Sequence, residues 1–264
     1  MEMFQVDAFT DRVFGGNPAA VLILDRWLAD ETLQAIAGEN NLAETAFACR
    51  SGDGRSGDGW DLRWFTPTVE VDFCGHATLA TAHVLAREHG IAGEMRFLTR
   101  VGDLRVTATE DGYALDVPLL APEPLERLPE EVAHVVPAGA TLFRNFENLF
   151  AELADEAAVT GFSPDLSAIA RLGPVGLVVT ARGTVSDFVS RYFAPGAGIP
   201  EDPVTGSTHA TLAPYWAERL GKARMTARQA SARGGSLTCE IAGDRVRLFG
   251  QAATFMKAEI RLPD

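Results

Sequence analysis

Two segments of the chain stay apolar on most of their faces for the length of a helix. Residues 75–88 carry Ala77, Leu79, Ala80, Ala82, Val84 and Leu85, and residues 206–220 repeat the pattern. A helix that is apolar nearly all round is a buried one, so the pattern predicts two central helices, each wrapped by a strongly curved sheet. Gly75 and Gly206 open these segments, and Gly90 and Gly221 follow each of them by 15 residues, as glycines at helix C-termini do. Around the helices lie short strand-like runs, and residues 253–262 alternate in the manner of a strand.

The flanking sequence repeats too. Arg63-Trp64-Phe65-Thr66-Pro67 is echoed by Arg191-Tyr192-Phe193-Ala194-Pro195, Leu33-Gln34-Ala35-Ile36-Ala37 by Leu166-Ser167-Ala168-Ile169-Ala170, and Arg100-Val101-Gly102-Asp103-Leu104 by Arg233-Gly234-Gly235-Ser236-Leu237. Shared order and near-equal spacing point to two similar halves. Each reads as a strand, a short helix, a two-stranded hairpin, a turn, a long helix and several short strands. The first half is placed at residues 1–118, completed by residues 253–264. A linker bearing Pro122, Pro124 and Pro129 follows at residues 119–131, and the second half occupies residues 132–252. The hairpin turn of the first half, residues 51–59, is rich in glycine and reads as a flexible link.

Composition narrows the function. A net charge of −13 and a pI of about 4.8 disfavour nucleic acid and anionic membranes as partners. No apolar run reaches the roughly 18 residues of a membrane span, and the N-terminus has no signal-peptide pattern. Cys49, Cys74 and Cys239 are odd in number and scattered, which suits a reducing cytoplasm. Without a CxxC or HxxxH pair, no metal is expected.

Differences between the halves locate candidate chemistry. Counting back six residues from Arg50 gives Glu44, but from Arg182 gives Gly176. Glu44 is therefore an acid that the scaffold does not require, and its apolar neighbours Leu42, Ala43, Ala46 and Phe47 suit proton transfer at a desolvated carboxyl; the alternative is a strand-edge glutamate facing solvent. His76 stands where the second half has Ser207, and is either a donor to substrate or a capping residue. Asp202 precedes the second helix, as a site acid or an ordinary turn residue. Asn17, in Gly15-Gly16-Asn17-Pro18, forms a turn or reaches the cleft. Cys74 aligns with Thr205; it is either a packed thiol or a base, and Thr205 excludes a two-thiol mechanism. The starts of the two buried helices, at Gly75 with His76 and at Gly206 with Ser207, offer backbone N–H groups to a carboxylate. His83, His89 and His134 read as core or surface residues, and His209 as a supporting one.

Four motifs in order, Phe9-Thr10 with Gly15-Gly16-Asn17-Pro18, Asn41-Leu42-Ala43-Glu44-Thr45-Ala46-Phe47, Cys74-Gly75-His76-Ala77-Thr78-Leu79-Ala80 and Glu201-Asp202-Pro203-Val204-Thr205-Gly206-Ser207, resemble those of the PhzF family across nearly the whole chain. The resemblance implies an α+β fold of two pseudo-symmetric barrels like those of diaminopimelate epimerase, each a curved, mostly antiparallel sheet around a central helix. It implies that Glu44 is the main acid/base, that His76, Asp202 and Ser207 orient substrate and assist protonation, and that Gly75 and Gly206 supply backbone donors. It also implies a homodimer that uses no cofactor. Cys74 matches one catalytic cysteine of the related epimerases, whereas Thr205 replaces the other. The expected activity is isomerisation or epimerisation of a small carboxylate metabolite in the cleft between the halves. A lyase or dehydratase, or a non-catalytic small-molecule binding protein, are the other readings.

Overall fold

A computed structural model describes residues 1–51 and 59–262. Most of the glycine-rich turn expected at residues 51–59 lies outside the described residues. The chain divides into two compact units, Met1–Asp116 with Phe249–Asp264, and Val117–Leu248. The first contains β1 (Glu2–Ala8), β2 (Asn17–Leu24), α1 (Asp30–Asn40), β3 (Glu44–Arg50), β4 (Trp60–Phe65), β5 (Glu70–Val71), α2 (Gly75–Glu88), β6 (Glu94–Thr99), β7 (Gly102–Thr109) and most of β8 (Gly112–Pro118). The second contains β9 (Glu123–Pro124), β10 (Thr141–Arg144), β11 (Asn148–Glu152), α3 (Glu156–Thr160), α4 (Leu166–Ala170), β12 (Gly176–Arg182), β13 (Phe188–Ala194), β14 (Ile199–Asp202), α5 (Gly206–Leu220), β15 (Arg224–Gln229), β16 (Gly235–Ala242) and most of β17 (Arg245–Gly250). The chain then returns to the first unit as β18 (Ala252–Glu259), antiparallel to β1.

The sequence repeat becomes a repeat of pairing. In the first unit β1 and β2 are antiparallel, β2 and β3 parallel, β3 and β4 antiparallel, β4 and β6 parallel, and β6 and β7 antiparallel. In the second, β10 to β11, β11 to β12, β12 to β13, β13 to β15 and β15 to β16 follow the same alternation. Strands β3 and β12 are each buried at six of seven positions, which requires cover on both faces. In the first unit α2 lies against β1, β2, β3 and β7, with Gly75 through Leu85 all buried. Leu33, Ile36 and Ala37 of α1 join Leu22, Phe47 and Phe65 in a second apolar cluster. In the second unit Ala168 and Ile169 of α4 and Val159 of α3 pack on Leu177, Val179 and Phe193.

Two departures from the sequence reading have local causes. The single short helix of the first half becomes two in the second, because Gly161 and Pro164 interrupt it and Asp155 and Asp165 each cap a new start by accepting from Ala158 and Ala168. Residues 119–131, expected as a linker, belong to the second unit: β9 pairs with β10, and Leu128 is in the core. Pro214 inside α5 explains part of this docking. Proline has no N–H for the carbonyl four residues earlier, and that carbonyl, on Ala210, accepts instead from Leu120 N at 3.1 Å.

The Arg-aromatic-Phe echo is a pair of equivalent clamps. Arg63 on β4 grips Glu70 on β5 through Nε at 2.7 Å and Nη2 at 2.8 Å, and its guanidinium lies over Phe65. Arg191 on β13 grips Glu201 on β14 through Nε at 2.7 Å and Nη2 at 3.0 Å, and lies over Phe193. Both forks are largely shielded from solvent, the setting in which a bidentate pair is strongest. Each gripped acid stands five residues before the glycine that opens the central helix, so the clamps fix where α2 and α5 begin.

A further tight turn places Asn17. Gly16 has φ +59°, and a Cβ there would lie 2.1 Å from Ala8 O and 2.8 Å from Thr10 Cγ2. Gly16→Ala should therefore cost about 3 kcal/mol, whereas Gly90→Ala, at φ +68° with open space around it, should cost about 1 kcal/mol. Equal urea midpoints for the two variants would contradict this.

Two buried histidines make stability depend on pH. His83 sits between Thr254 and Tyr113, and burial pushes its pKa down to about 4, with Arg87 adding to the effect. Burial likewise holds His209 down at about 4, with its bond to Thr205 O opposing. The unfolded chain, with histidines near 6.5, binds more protons than the folded one between about pH 4 and 6.5, so stability must fall on acidification through that window. Each histidine contributes about 3 kcal/mol to the fall. Urea unfolding from pH 7 to 4 should show it, and His209→Asn should flatten the slope; an unchanged slope in the variant would refute the assignment.

Candidate active site

Glu44 is the first residue of β3, in register with Ala19 of β2. It is 8% exposed. Its Oε2 lies 3.2 Å from His76 Nε2 in the first turn of α2, yet forms no aligned hydrogen bond among the described residues. Asn17, at the start of β2, donates from Nδ2 to His76 Nδ1 at 3.1 Å. Cys74, the residue that caps α2, puts Sγ 3.4 Å from the same nitrogen. The structure thus assembles four of the residues singled out from the sequence, Asn17, Glu44, Cys74 and His76, around one imidazole, all four buried. Gly75 between them begins the helix, and the Cys74 side chain makes no cap hydrogen bond.

The charges follow from burial and neighbours. Burial, and then the Glu44 carboxylate, push the Cys74 thiol up to about 11, so it carries its proton at neutral pH. Burial disfavours a charged His76, but Cys74 and Glu44 outweigh it and hold the imidazole well above its ordinary value. Asn17 suits either state of the ring: its amide N–H donates to a bare Nδ1, and its carbonyl oxygen, once turned, accepts from Nδ1–H.

The equivalent place in the second unit is filled. Gly176 opens β12 in register with Asn148, whose Oδ1 accepts from Gly176 N at 3.2 Å. A Cβ on Gly176 would sit 2.2 Å from the Tyr192 ring and 2.7 Å from Asn148 Oδ1. Tyr192 and Asn148 therefore take the space that a glutamate would need, and the acid exists in one half alone.

The second unit builds a different polar group. Asp202 ends β14, is buried, and accepts a short hydrogen bond from the Thr205 hydroxyl. Gln229, fully buried at the end of β15, holds the loop between them: its Oε1 accepts from Thr205 N at 2.9 Å, and its Nε2 donates to Asp202 O at 2.8 Å and Thr205 Oγ1 at 3.1 Å. His209 Nδ1 donates to Thr205 O at 2.8 Å. Gly206 is buried and Ser207 half-buried at the start of α5, and Thr205 makes no cap hydrogen bond to it. The sequence reading missed Gln229, although a signal exists. Strand β15 alternates inward Met225 and Ala227 with outward polar residues, so a glutamine at the next inward position is out of pattern.

Comparison with known proteins agrees with this architecture. A family model described as phenazine biosynthesis-like protein, PhzC-PhzF, matches residues 6–258. The chain is 48% identical over 264 residues to an uncharacterized isomerase of Pseudomonas aeruginosa, covering 99% of each chain. A crystal structure of a phenazine biosynthesis protein of the PhzF family from Enterococcus faecalis superimposes with a TM-score of 0.90 at 45% identity, over 99% of both chains. A probable proline racemase from Agrobacterium radiobacter shares the fold, with a TM-score of 0.63 at 12% identity over 99% of this chain and 93% of that one. The protein belongs to the phenazine biosynthesis-like PhzF family, and within that family it is an isomerase.

Proposed function

We propose that the protein is a cofactor-independent isomerase or epimerase of a small carboxylate metabolite, and that Glu44 moves the proton. The supporting observation is the buried Glu44 carboxylate beside a histidine whose second nitrogen is held by Asn17. A buried carboxylate beside an imidazole is placed to exchange a proton with a bound substrate. His76 Nε2 faces the oxygen that would receive the proton, so it can stabilise the carboxylate before transfer and share the proton afterwards. Cys74, held as a thiol, serves as a neutral neighbour of His76 rather than as the base.

A carbanion or enolate formed next to a carboxylate needs donors that do not have to reorient. The N–H groups in the first turns of α2 and α5, at Gly75 with His76 and at Gly206 with Ser207, are such donors. On this reading Asp202 and Ser207 serve the same reaction by orienting substrate and returning a proton, and Gln229 with Thr205 holds Asp202 in place. Isomerisation conserves mass, which separates it from elimination on the same scaffold.

Small carboxylic acids screened by proton NMR should yield a substrate whose product has the same mass. Glu44→Gln should lower kcat by about 10²–10⁴ with little change in KM; a variant within about threefold of wild type would contradict the role of Glu44. Gln229→Ala leaves Thr205 N–H without its side-chain acceptor and should cost about 1–3 kcal/mol of stability. Its kcat should fall in the same direction as that of Asp202→Asn. Loss of stability with kcat intact would show Gln229 to be structural only.

A further inference from the structure

We propose that Glu44, Cys74 and His76 also form a site for a thiophilic divalent cation, of which zinc(II) is the reference, and that the bound cation closes the site to substrate. One ligand atom from each residue lies within 4.8 Å of the others, and all three residues are buried. His76 Nε2 is 3.2 Å from Glu44 Oε2 and 4.0 Å from Cys74 Sγ. Tetrahedral zinc, with bonds of about 2.0–2.3 Å, sets its ligands roughly 3.3–3.6 Å apart. Side-chain shifts of about 1 Å therefore suffice. Imidazole nitrogen, thiolate sulfur and carboxylate oxygen are the ligand types that zinc takes, and three protein ligands leave the fourth position to water.

An independent observation at the same place points to a cation. Glu44 Oε2 is a buried oxygen that faces His76 Nε2 at 3.2 Å without an aligned hydrogen bond among the described residues, and a metal held between the two would satisfy both atoms. With its amide turned so that Oδ1 accepts from Nδ1–H, Asn17 would orient the ring while Nε2 binds, as partners of ligating histidines do. The sulfur selects against magnesium and calcium, which prefer all-oxygen sites. Binding changes no oxidation state. The cation displaces the Cys74 thiol proton and, where the ring is charged, the Nε2 proton, and both go to solvent. The three ligands escape a search for CxxC or HxxxH spacing because Glu44 lies 30 residues before Cys74 in the sequence and reaches it only through the packing of β3 on α2.

Closure of the site follows from the proton-transfer reading, since a carboxylate bound to metal cannot accept a proton; the binding itself does not depend on it. The test is therefore made without substrate. The full chain is titrated with cadmium(II), followed by thiolate-to-metal charge-transfer absorption, and with zinc(II) by calorimetry. Wild type, Cys74→Ser and Glu44→Gln are compared, with folding of each checked by circular dichroism. The expected result is one equivalent of either metal in wild type, loss of the absorption band in Cys74→Ser, and zinc affinity weakened more than about tenfold in both variants. No band in wild type, a band that survives in Cys74→Ser, or zinc affinity unchanged in either variant would overturn the site, the last showing that the acidic surface alone binds the metal. A failed titration with normal effects of Glu44→Gln on kcat would remove the metal site and leave the isomerase mechanism standing.

Discussion

A carboxylate is expensive to bury, and the first unit is arranged around one. Glu44 opens β3 with both faces of that strand covered, and the charge nearest to it is His76 in the first turn of α2. An uncompensated buried charge costs several kcal/mol, so the start of β3 and the start of α2 have to be held in register with each other. Three local devices do this. The turn at Gly16 brings Asn17 onto the imidazole, the parallel pairing of β2 with β3 sets the height of Glu44, and the Arg63–Glu70 clamp fixes the approach to α2. Function and stability therefore meet at one ring.

The second unit shows what the scaffold does without that acid. The same pairing alternation and the same arginine clamp, Arg191 on Glu201, lead into α5. At the place of Glu44, however, Tyr192 and Asn148 close over Gly176. Asp202, Thr205 and Gln229 form a polar group in this unit, joined by hydrogen bonds to backbone and hydroxyl. One frame thus carries two chemically different polar groups, one a carboxylate beside an imidazole and the other a carboxylate beside a hydroxyl and a carboxamide.

Much of this was legible in the chain. The buried helices announced themselves because a helix apolar on nearly every face has one stable location, and their limits at Gly75–Glu88 and Gly206–Leu220 agree with the sequence reading. The doubled motif showed that the halves repeat, and the Glu44–Gly176 mismatch showed that they differ. The physical reason for the mismatch was hidden, because the packing of Tyr192 over Gly176 is a contact between strands that no linear pattern reports. The Glu44–Cys74–His76 triangle was hidden for the same reason, since Glu44 lies 30 residues before Cys74, whereas Gln229 was readable as a break in the apolar alternation of β15. The split of one short helix into α3 and α4 was readable in principle from Gly161, Pro164 and the two capping aspartates.

The central claim is that Glu44 is the group that takes the substrate proton. The most direct measurement is incorporation of solvent deuterium at the reacting carbon in D₂O, followed by NMR for wild type and Glu44→Gln under single-turnover conditions. The account predicts incorporation by wild type and its loss in Glu44→Gln, with the substrate still bound. Deuterium entering the product at the wild-type rate in that variant would contradict it and move the proton transfer to another group.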